Sequence, residues 1–153
     1  MADGVFNIAL GEVKKYAKLD GGANDALIVV LIVSTGLEAD ATLRDHDDLA
    51  ALLTATNDEC TATNYARKVI STATITVDDT NNRVDIDIAD QTWTALGGAT
   101  NNTLGKLLVC YDPDTTAGTD STIVPLTFHD FSVTTDGSDV TAQIATAGFY
   151  RAA

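Results

Sequence analysis

Residues 26–33 read Ala-Leu-Ile-Val-Val-Leu-Ile-Val, and this unbroken apolar run determines the architecture that we expect. Eight apolar and mostly β-branched residues in succession predict a strand buried on both faces, or a strand that forms a subunit contact. The run is far shorter than the roughly 20 residues that a membrane-spanning helix needs. We therefore expect no membrane segment here, and we take Ile28 and Val30 as candidate contact residues in an assembly.

Alternation of apolar and polar residues extends the β prediction beyond residue 65. The segments 72–77 and 83–88 flank the turn sequence Asp-Asp-Thr-Asn-Asn at 78–82, which predicts a β-hairpin with one apolar and one polar face. Further strands are expected at 104–111, at 123–126 and 128–135 with a division near Pro125, and at 140–144 as a strand or short helix. Six to eight short strands predict a mainly β fold, an antiparallel β-sandwich or barrel-like domain.

One short helix is expected at about residues 45–55. Leu49, Leu52 and Leu53 follow the i, i+3, i+4 spacing of a single apolar stripe. Asp45 or Asp47 can cap its N-terminus, where acidic side chains also favour the helix dipole. The helix should pack on the sheet through one face.

Composition excludes several classes of partner. The 153 residues contain 22 Asp and Glu against 9 Lys and Arg, for a net charge of -13. Nucleic acids and anionic membranes would be repelled by such a chain. The length predicts one domain spanning 1–153, and the N-terminus shows no basic region of the kind that opens a signal peptide. We expect neither a nucleic-acid nor a membrane partner.

The N-terminal segment, residues 1–20, contains the one basic cluster in the sequence, formed by Lys14, Lys15 and Lys18. Two interpretations stay open. The cluster is either a solvated face, or part of an N-terminal docking arm that meets an acidic neighbour in an assembly.

The two cysteines, Cys60 and Cys110, match no metal-ligand spacing. We favour two free, buried thiols in a protein made in a reducing cytosol, and a disulfide between them is the alternative. No cofactor or metal is predicted. The loop at 112–120 alternates acids and hydroxyls, but its glycine and its final position do not fit a calcium-binding loop.

No catalytic motif is present, so we predict that the chain is not an enzyme. The sequence has no Gly-x-Ser-x-Gly, no His-Glu-x-x-His, no P-loop and no dinucleotide fingerprint. Asp85 and Asp87 are expected on the solvent face of a strand, His46 at a helix start, and His129 in a structural hydrogen bond. A hydrolase would have no constellation of residues to support it.

Several segments resemble one family. They are Met-Ala-Asp-Gly-Val-Phe-Asn-Ile-Ala (1–9), Ala-Leu-Ile-Val-Val-Leu (26–31), Gly-Leu-Glu-Ala-Asp-Ala-Thr-Leu-Arg-Asp-His-Asp (36–47), Thr-Asn-Tyr-Ala-Arg-Lys (63–68), Asp-Asp-Thr-Asn-Asn-Arg-Val-Asp (78–85), Asp-Gln-Thr-Trp (90–93) and Leu-Val-Cys-Tyr-Asp-Pro-Asp (108–114). Together they resemble small virion structural proteins of tailed bacteriophages, over most of the chain. The resemblance implies many copies on a capsid, neck or tail, and it assigns no site residue.

These observations lead to a specific expectation about function. We expect a non-enzymatic virion protein, assembled in the host bacterial cytoplasm, that acts as a capsid decoration or cement subunit. Its partners would be the major capsid protein and copies of itself. Aromatic and Arg anchors dominate such interfaces, so the remaining contact candidates are Tyr16, Trp93, Phe149, Tyr150 and Arg151. Deleting residues 149–153 should then weaken assembly and leave the isolated fold intact.

The alternative is a tail, neck or fibre protein. Its one indication in the sequence is Trp93, which lies near acidic residues. If exposed, the Trp93 ring could stack on a host-surface glycan.

Overall fold

A computed structural model describes residues 3–153 as ten strands and three short helices. The strands are β1 (Gly4–Val5), β2 (Ala26–Val33), β3 (Lys68–Ile70), β4 (Thr74–Asp78), β5 (Arg83–Asp87), β6 (Gln91–Trp93), β7 (Leu104–Asp112), β8 (Val124–Asp130), β9 (Val140–Ala142) and β10 (Tyr150–Ala152). The helices are α1 (Val13–Ala17), α2 (Asp40–Leu43) and α3 (Leu49–Thr54). The fold is therefore mainly β, as predicted.

Three antiparallel sheets account for all ten strands. The largest has the order β1-β8-β7-β2-β3, and the smaller ones are β10-β5-β4 and β6-β9. β2 pairs with β7 along its whole length, from Ala26 opposite Asp112 to Val33 opposite Leu104. The predicted hairpin at 72–88 is confirmed as β4 and β5, which pair from Thr74 opposite Asp87 to Asp78 opposite Arg83.

β2 is buried on both faces within a single chain. Leu27, Val29 and Leu31 point into one hydrophobic core, and the intervening Ile28, Val30 and Ile32 point into a second. The sheet thus separates two cores, because successive side chains of a strand alternate between its faces. Ile28 and Val30 contact the chain's own side chains, so their assignment as contact residues in an assembly is wrong.

The two faces of the large sheet are covered by different structures. On one face lie α1 and the two smaller sheets, which contribute Val13, Ile86, Trp93 and Phe149 to the core. This face-to-face packing of sheets confirms the sandwich-like architecture. On the other face lie the helices α2 and α3, with Leu43, Leu49 and Leu52 in the second core.

The predicted helix at 45–55 is shorter than expected. α3 begins at Leu49, because Asp48 has extended backbone angles and its carboxylate accepts a hydrogen bond from the Ala51 amide at 2.8 Å. Asp48 is therefore the N-cap, and the assignment of Asp45 or Asp47 was wrong. The helix α2 was not predicted, whereas α1 lies within residues 11–19, for which the sequence allows either a strand or a short helix.

Residues 4–19 fold against the domain and do not form a free arm. β1 pairs with β8, and Phe6, Ala9 and Val13 are fully buried. Lys14, Lys15 and Lys18 are exposed, which matches the solvated-face interpretation of the basic cluster.

Pro125 lies inside one continuous strand, β8, and does not divide two strands as predicted. The pairing register between β7 and β8 shifts between Val109 and Cys110, opposite the proline. A bulge of this kind accommodates a residue that lacks an amide hydrogen.

The C-terminal tail is a strand of the domain. Tyr150–Ala152 pairs with β5, and Phe149 is buried in the first core. The expectation that this tail can be removed without affecting the isolated fold is therefore corrected.

Candidate functional site

Trp93 lies in the core and not on the surface. Its side chain is 1% exposed, and its indole N–H donates to the Ala66 carbonyl at 2.8 Å. The Lys68 ammonium group lies 5.3 Å from the ring centroid. A glycan cannot stack on a ring so covered, so the exposure assumed for Trp93 was wrong, and so was its place among the contact residues.

The structure brings the tail candidates together with β5. The Arg151 guanidinium donates to both carboxylate oxygens of Asp85, with distances of 2.6 and 3.3 Å. Arg83 contacts the same carboxylate at 3.2 Å. These cations lower the pKa of Asp85, mainly through the hydrogen bond from Arg151. Phe149 is buried, and Tyr150 is partly buried against the first core. Arg151 is therefore the most accessible of these three tail residues.

Tyr16 is separate from the tail in this arrangement. Its ring packs against that of Tyr111 with centroids 5.0 Å apart, and the Tyr111 hydroxyl donates to Asp25 at 3.1 Å. Lys15 lies 5.5 Å from the Tyr16 ring and pairs with Glu12 at 3.1 Å. Tyr16 is half-buried, so only part of its side chain is available to a partner.

A network around Arg67 is the largest polar cluster that the sequence did not reveal. Arg67 contacts Glu59 through Nε at 2.8 Å and Nη2 at 2.6 Å, and it also contacts Asp120 at 2.6 and 3.0 Å. The Tyr65 hydroxyl donates to Glu59 at 2.8 Å and accepts from the Leu31 amide. This network connects the loop after α3 to the turn before β8.

The pKa shifts in this network all stabilise the existing ionisation states. The hydrogen bonds to Glu59 and Asp120 raise the pKa of Arg67, and the hydrogen bond from Arg67 lowers the pKa of Asp120. Burial, followed by the charge of Glu59, raises the pKa of Tyr65. These shifts favour the charged forms of Arg67 and Asp120 and the neutral form of Tyr65.

Lys106 is a second unpredicted feature, because it is a fully buried lysine in the apolar strand β7. Its ammonium group contacts Asp130 at 2.6 Å and Asp40 at 3.0 Å, and it lies 4.9 Å from the Phe128 ring centroid. Asp130 is directly opposite Lys106 in the β7–β8 pairing. The sequence does contain a signal for this ion pair, namely a single lysine within an apolar run. A charge buried in such a strand requires a partner of opposite charge.

The two histidines have structural contacts. His46 Nε2 lies 2.7 Å from Glu38, whose carboxylate also accepts from Asn57 at 2.7 Å. These two hydrogen bonds, that from His46 first, lower the pKa of Glu38. His129 contacts Thr127 at 2.9 Å and Asp3 at 3.3 Å. His46 was predicted at the start of a helix. It lies instead in the loop before α3, where its contact with Glu38 connects that loop to the loop before α2.

His129 also lines a cleft of about 270 Å³, together with Asp130, Phe131, Ile144 and Phe149. The volume is slightly below the roughly 300 Å³ at which small-molecule sites usually begin. The cleft contains a histidine but no serine, threonine or cysteine among its lining residues that could act as a nucleophile.

Cys60 and Cys110 are both free and buried, so the disulfide alternative is excluded. Burial raises the pKa of both thiols, which makes them less reactive. In the loop at 112–120, Asp114 accepts hydrogen bonds from Thr116 and from the Ala117 amide, as in a solvated turn. No group of three potential metal ligands occurs within residues 3–153.

Comparisons with known proteins gave no match: no family model, no curated protein and no solved structure resembles the chain significantly. Of the three helices between residues 3 and 153, none is long and apolar enough to span a bilayer. The candidate binding surface therefore has to be chosen from this chain's own geometry. It consists of the C-terminal tail, its partner Asp85, and the strand edges beside the tail.

Proposed function

We propose that this chain is a non-enzymatic structural subunit of a tailed-phage virion. Within the particle it acts as a capsid decoration or cement protein, which binds the major capsid protein and copies of itself. It reaches that location by assembly in the host bacterial cytoplasm. The chain's contribution on this proposal is binding area, and its residues perform no chemistry on a substrate.

The direction of the pKa shifts is in keeping with a protein that does no acid–base chemistry. Acid–base catalysis favours groups whose pKa lies near the working pH. Here every resolved shift moves the pKa of a group away from neutrality. The pKa values of Glu38 and Asp120 are lowered, and the pKa values of Arg67, Tyr65 and Cys110 are raised. Such a pattern is typical of groups that are held in ion pairs or buried in their neutral form.

The observation that carries the proposal is the exposed apolar surface of the domain. The cores bury the long apolar strands, while exposed large apolar side chains remain at Ile8, Leu10, Val69 and Val77. Val69 lies on the edge strand β3, and Val77 lies on the edge strand β4. Edge strands are a common means by which one protein adds to the sheet of another. The resemblance to phage virion proteins indicates which kind of neighbour to expect.

Particles produced from the genome that encodes this chain provide the test. We expect mass spectrometry of gradient-purified particles to detect the chain in many copies, and a cryo-EM map to show it in symmetric array on the capsid. Particles that lack the gene should assemble but release DNA at a lower temperature, and added purified protein should restore the wild-type temperature. Absence of the chain from purified particles would refute the proposal.

The alternative location is the tail, neck or fibre. The same map distinguishes it, because density would then follow the tail axis and the isolated capsid would not bind the purified chain. Glycan binding through Trp93 is not retained, since that ring is buried.

A further inference from the structure

The strand β4 has the longest unpaired edge among residues 3–153. It ends the three-stranded sheet β10-β5-β4 and spans five residues, Thr74–Asp78. The other strands with a free edge are β1, β3, β6, β9 and β10, and each has two or three residues. A strand at a sheet edge exposes unpaired N–H and C=O groups, which can pair with another chain.

The hydrogen bonds of β5 determine which groups of β4 face outward. The Phe149 amide donates to the Ile86 carbonyl at 3.0 Å, so Ile86 directs its backbone groups toward β10. Because these directions alternate along a strand, Asp85 and Asp87 direct theirs toward β4. Ile86 pairs with Ile75. The backbone groups of Ile75 and Val77 therefore point away from β5, toward solvent.

This edge lacks the usual protection against pairing. Natural edge strands are blocked by lysine, proline, bulges or inward-pointing charges. The first four residues of β4 are Thr-Ile-Thr-Val, which favour strands and carry no charge. Val77 is 55% exposed, although it adjoins Val84 and Ala152 in the same row of the sheet. By contrast, the edge strand β3 contains Lys68.

A single register pairs all of the outward groups with a second copy. When two β4 strands run antiparallel about a twofold axis at Thr76, Ile75 of each copy lies opposite Val77 of the other. Both residues direct their amides and carbonyls outward, so these positions form the hydrogen-bonded pairs of the new ladder. On the apolar face, each exposed valine then packs beside an isoleucine. On the polar face, Thr76 meets its own copy, a favourable cross-strand pair.

Charge does not oppose this register. Asp78, the one ionised residue of β4, lies opposite Thr74 of the other copy. It is also paired with Arg83 of its own chain at 3.2 Å. The two Asp78 side chains would be separated by roughly 14 Å at the strand rise of about 3.4 Å per residue. This distance exceeds the screening length of about 8 Å at physiological ionic strength.

We propose that β4 pairs with β4 of a second copy of this chain, in the register centred on Thr76. The two three-stranded sheets then form one continuous six-stranded sheet across a twofold axis. The interface is isologous, so it closes with two copies and creates no open filament. The proposal concerns the purified chain and is independent of a location in a virion.

Sedimentation equilibrium over a concentration series tests the pairing. We expect the mass of the wild-type chain to rise with concentration from 16.0 kDa toward twice that value. Val77→Lys should abolish the rise, because it places a charge beside the isoleucine of the partner. Thr54→Lys is the control, since Thr54 is exposed at the end of α3 and lies outside the sheets, and it should behave as the wild type. A wild-type mass that stays at 16.0 kDa at every concentration would overturn the proposal.

Engineered cysteines test the register. Thr76→Cys places two thiols at a non-hydrogen-bonded cross-strand pair, where the Cβ atoms lie about 5 Å apart. We expect mild oxidation to produce a covalent dimer of this variant. Thr74→Cys is the control, because its two thiols would be roughly 14 Å apart in this register. Both natural cysteines are buried. Equal cross-linking of both variants, or none of Thr76→Cys, would refute the register.

Discussion

Two charged side chains, one half-buried and one fully buried, connect distant parts of the chain. Arg67 connects Glu59, which follows α3, to Asp120, which precedes β8. Lys106 in β7 pairs with Asp40 at the start of α2 and with Asp130 at the end of β8. Because each cation contacts two carboxylates, its removal takes a counter-charge away from two acids. These residues therefore determine how the helical layer and the loops attach to the large sheet.

Replacement of Arg67 should be among the more damaging single changes. Arg67→Met removes the hydrogen bonds to two carboxylates that are mostly covered, so we expect the free energy of unfolding to fall by about 2 kcal/mol or more. Urea denaturation followed by Trp93 fluorescence measures it, because the single indole is buried in the native state.

Arg151→Met is the matched control for that experiment. Arg151 also binds a carboxylate, but its side chain is 41% exposed, and water can replace the lost contacts. We expect a clearly smaller loss of stability than for Arg67→Met. Equal losses in the two variants would contradict the structural role assigned to Arg67.

Sequence patterns locate apolar residues better than they locate polar partners. The run at 26–33 and the lysine within 104–111 are visible in the sequence, yet nothing adjacent to Lys106 indicates Asp40 as a partner. The pairing of Glu59 with Arg67 and Asp120 depends on loops whose paths periodicity does not determine. Trp93 was misplaced for a related reason, since its neighbours Thr92 and Thr94 are exposed and only the tertiary fold covers the ring.

Among the secondary-structure elements, strands were predicted more successfully than helices. Alternation and unbroken apolar runs identify β2, β4, β5 and β7, because these strands either face one core or separate two cores. The short helices have few residues in which a 3.6-residue period can be recognised, so α2 was missed and α1 was not distinguished from a strand. β10 was also missed, since three residues beside the C-terminus form a strand only by pairing with β5.

The N-cap of α3 provides a test at a single turn. Asp48→Ala removes the carboxylate that accepts from the Ala51 amide, and we expect the free energy of unfolding to decrease by about 1 kcal/mol. Asp47→Ala is the control, because Asp47 is exposed and outside the cap. Urea denaturation of the two variants decides the assignment, and a larger loss for Asp47→Ala would reverse it.

Removal of the tail should destabilise the domain. Deleting residues 149–153 eliminates β10 and the buried Phe149 ring, so we expect at least about 3 kcal/mol of unfolding free energy to be lost. Deleting Ala153 alone should have little effect, because that residue is exposed and follows the strand. Thermal and urea denaturation of the two truncated chains measure the difference. Wild-type stability of the longer deletion would show that β10 is dispensable.

Over the whole molecule, the charge of -13 is partly organised into pairs. Three carboxylates accept hydrogen bonds from cationic or polar side chains, which lower the pKa of each carboxyl group. They are Asp85, Asp120 and Glu38. Carboxylates of this kind stabilise the folded state when ionised. Their contribution is complete above the unfolded pKa, near 4, and it is lost as the pH falls through the lower folded pKa.

Acid should therefore unfold the protein at pH values below the usual pKa range of carboxyl groups. We expect the unfolding temperature to change little between pH 7 and about pH 5 and to decline steeply below about pH 4. Differential scanning calorimetry over this range measures the profile. Glu38→Gln should flatten part of the decline, because the amide does not titrate. A maximum of stability near pH 3 would contradict the assigned direction of the pKa shifts.

The pairing of β2 with β7 has a consequence for the order of events during synthesis. Residues 26–33 leave the ribosome long before residues 104–112, their partners along the whole strand. Contacts between such distant segments make folding slow, because a long loop must close before the contacts form. The edge of β2 that faces β7 therefore stays unpaired until most of the protein has been made, although β3 can pair with residues 27–29 earlier. We therefore expect early shielding of that segment, by a chaperone or by transient collapse, to favour productive expression.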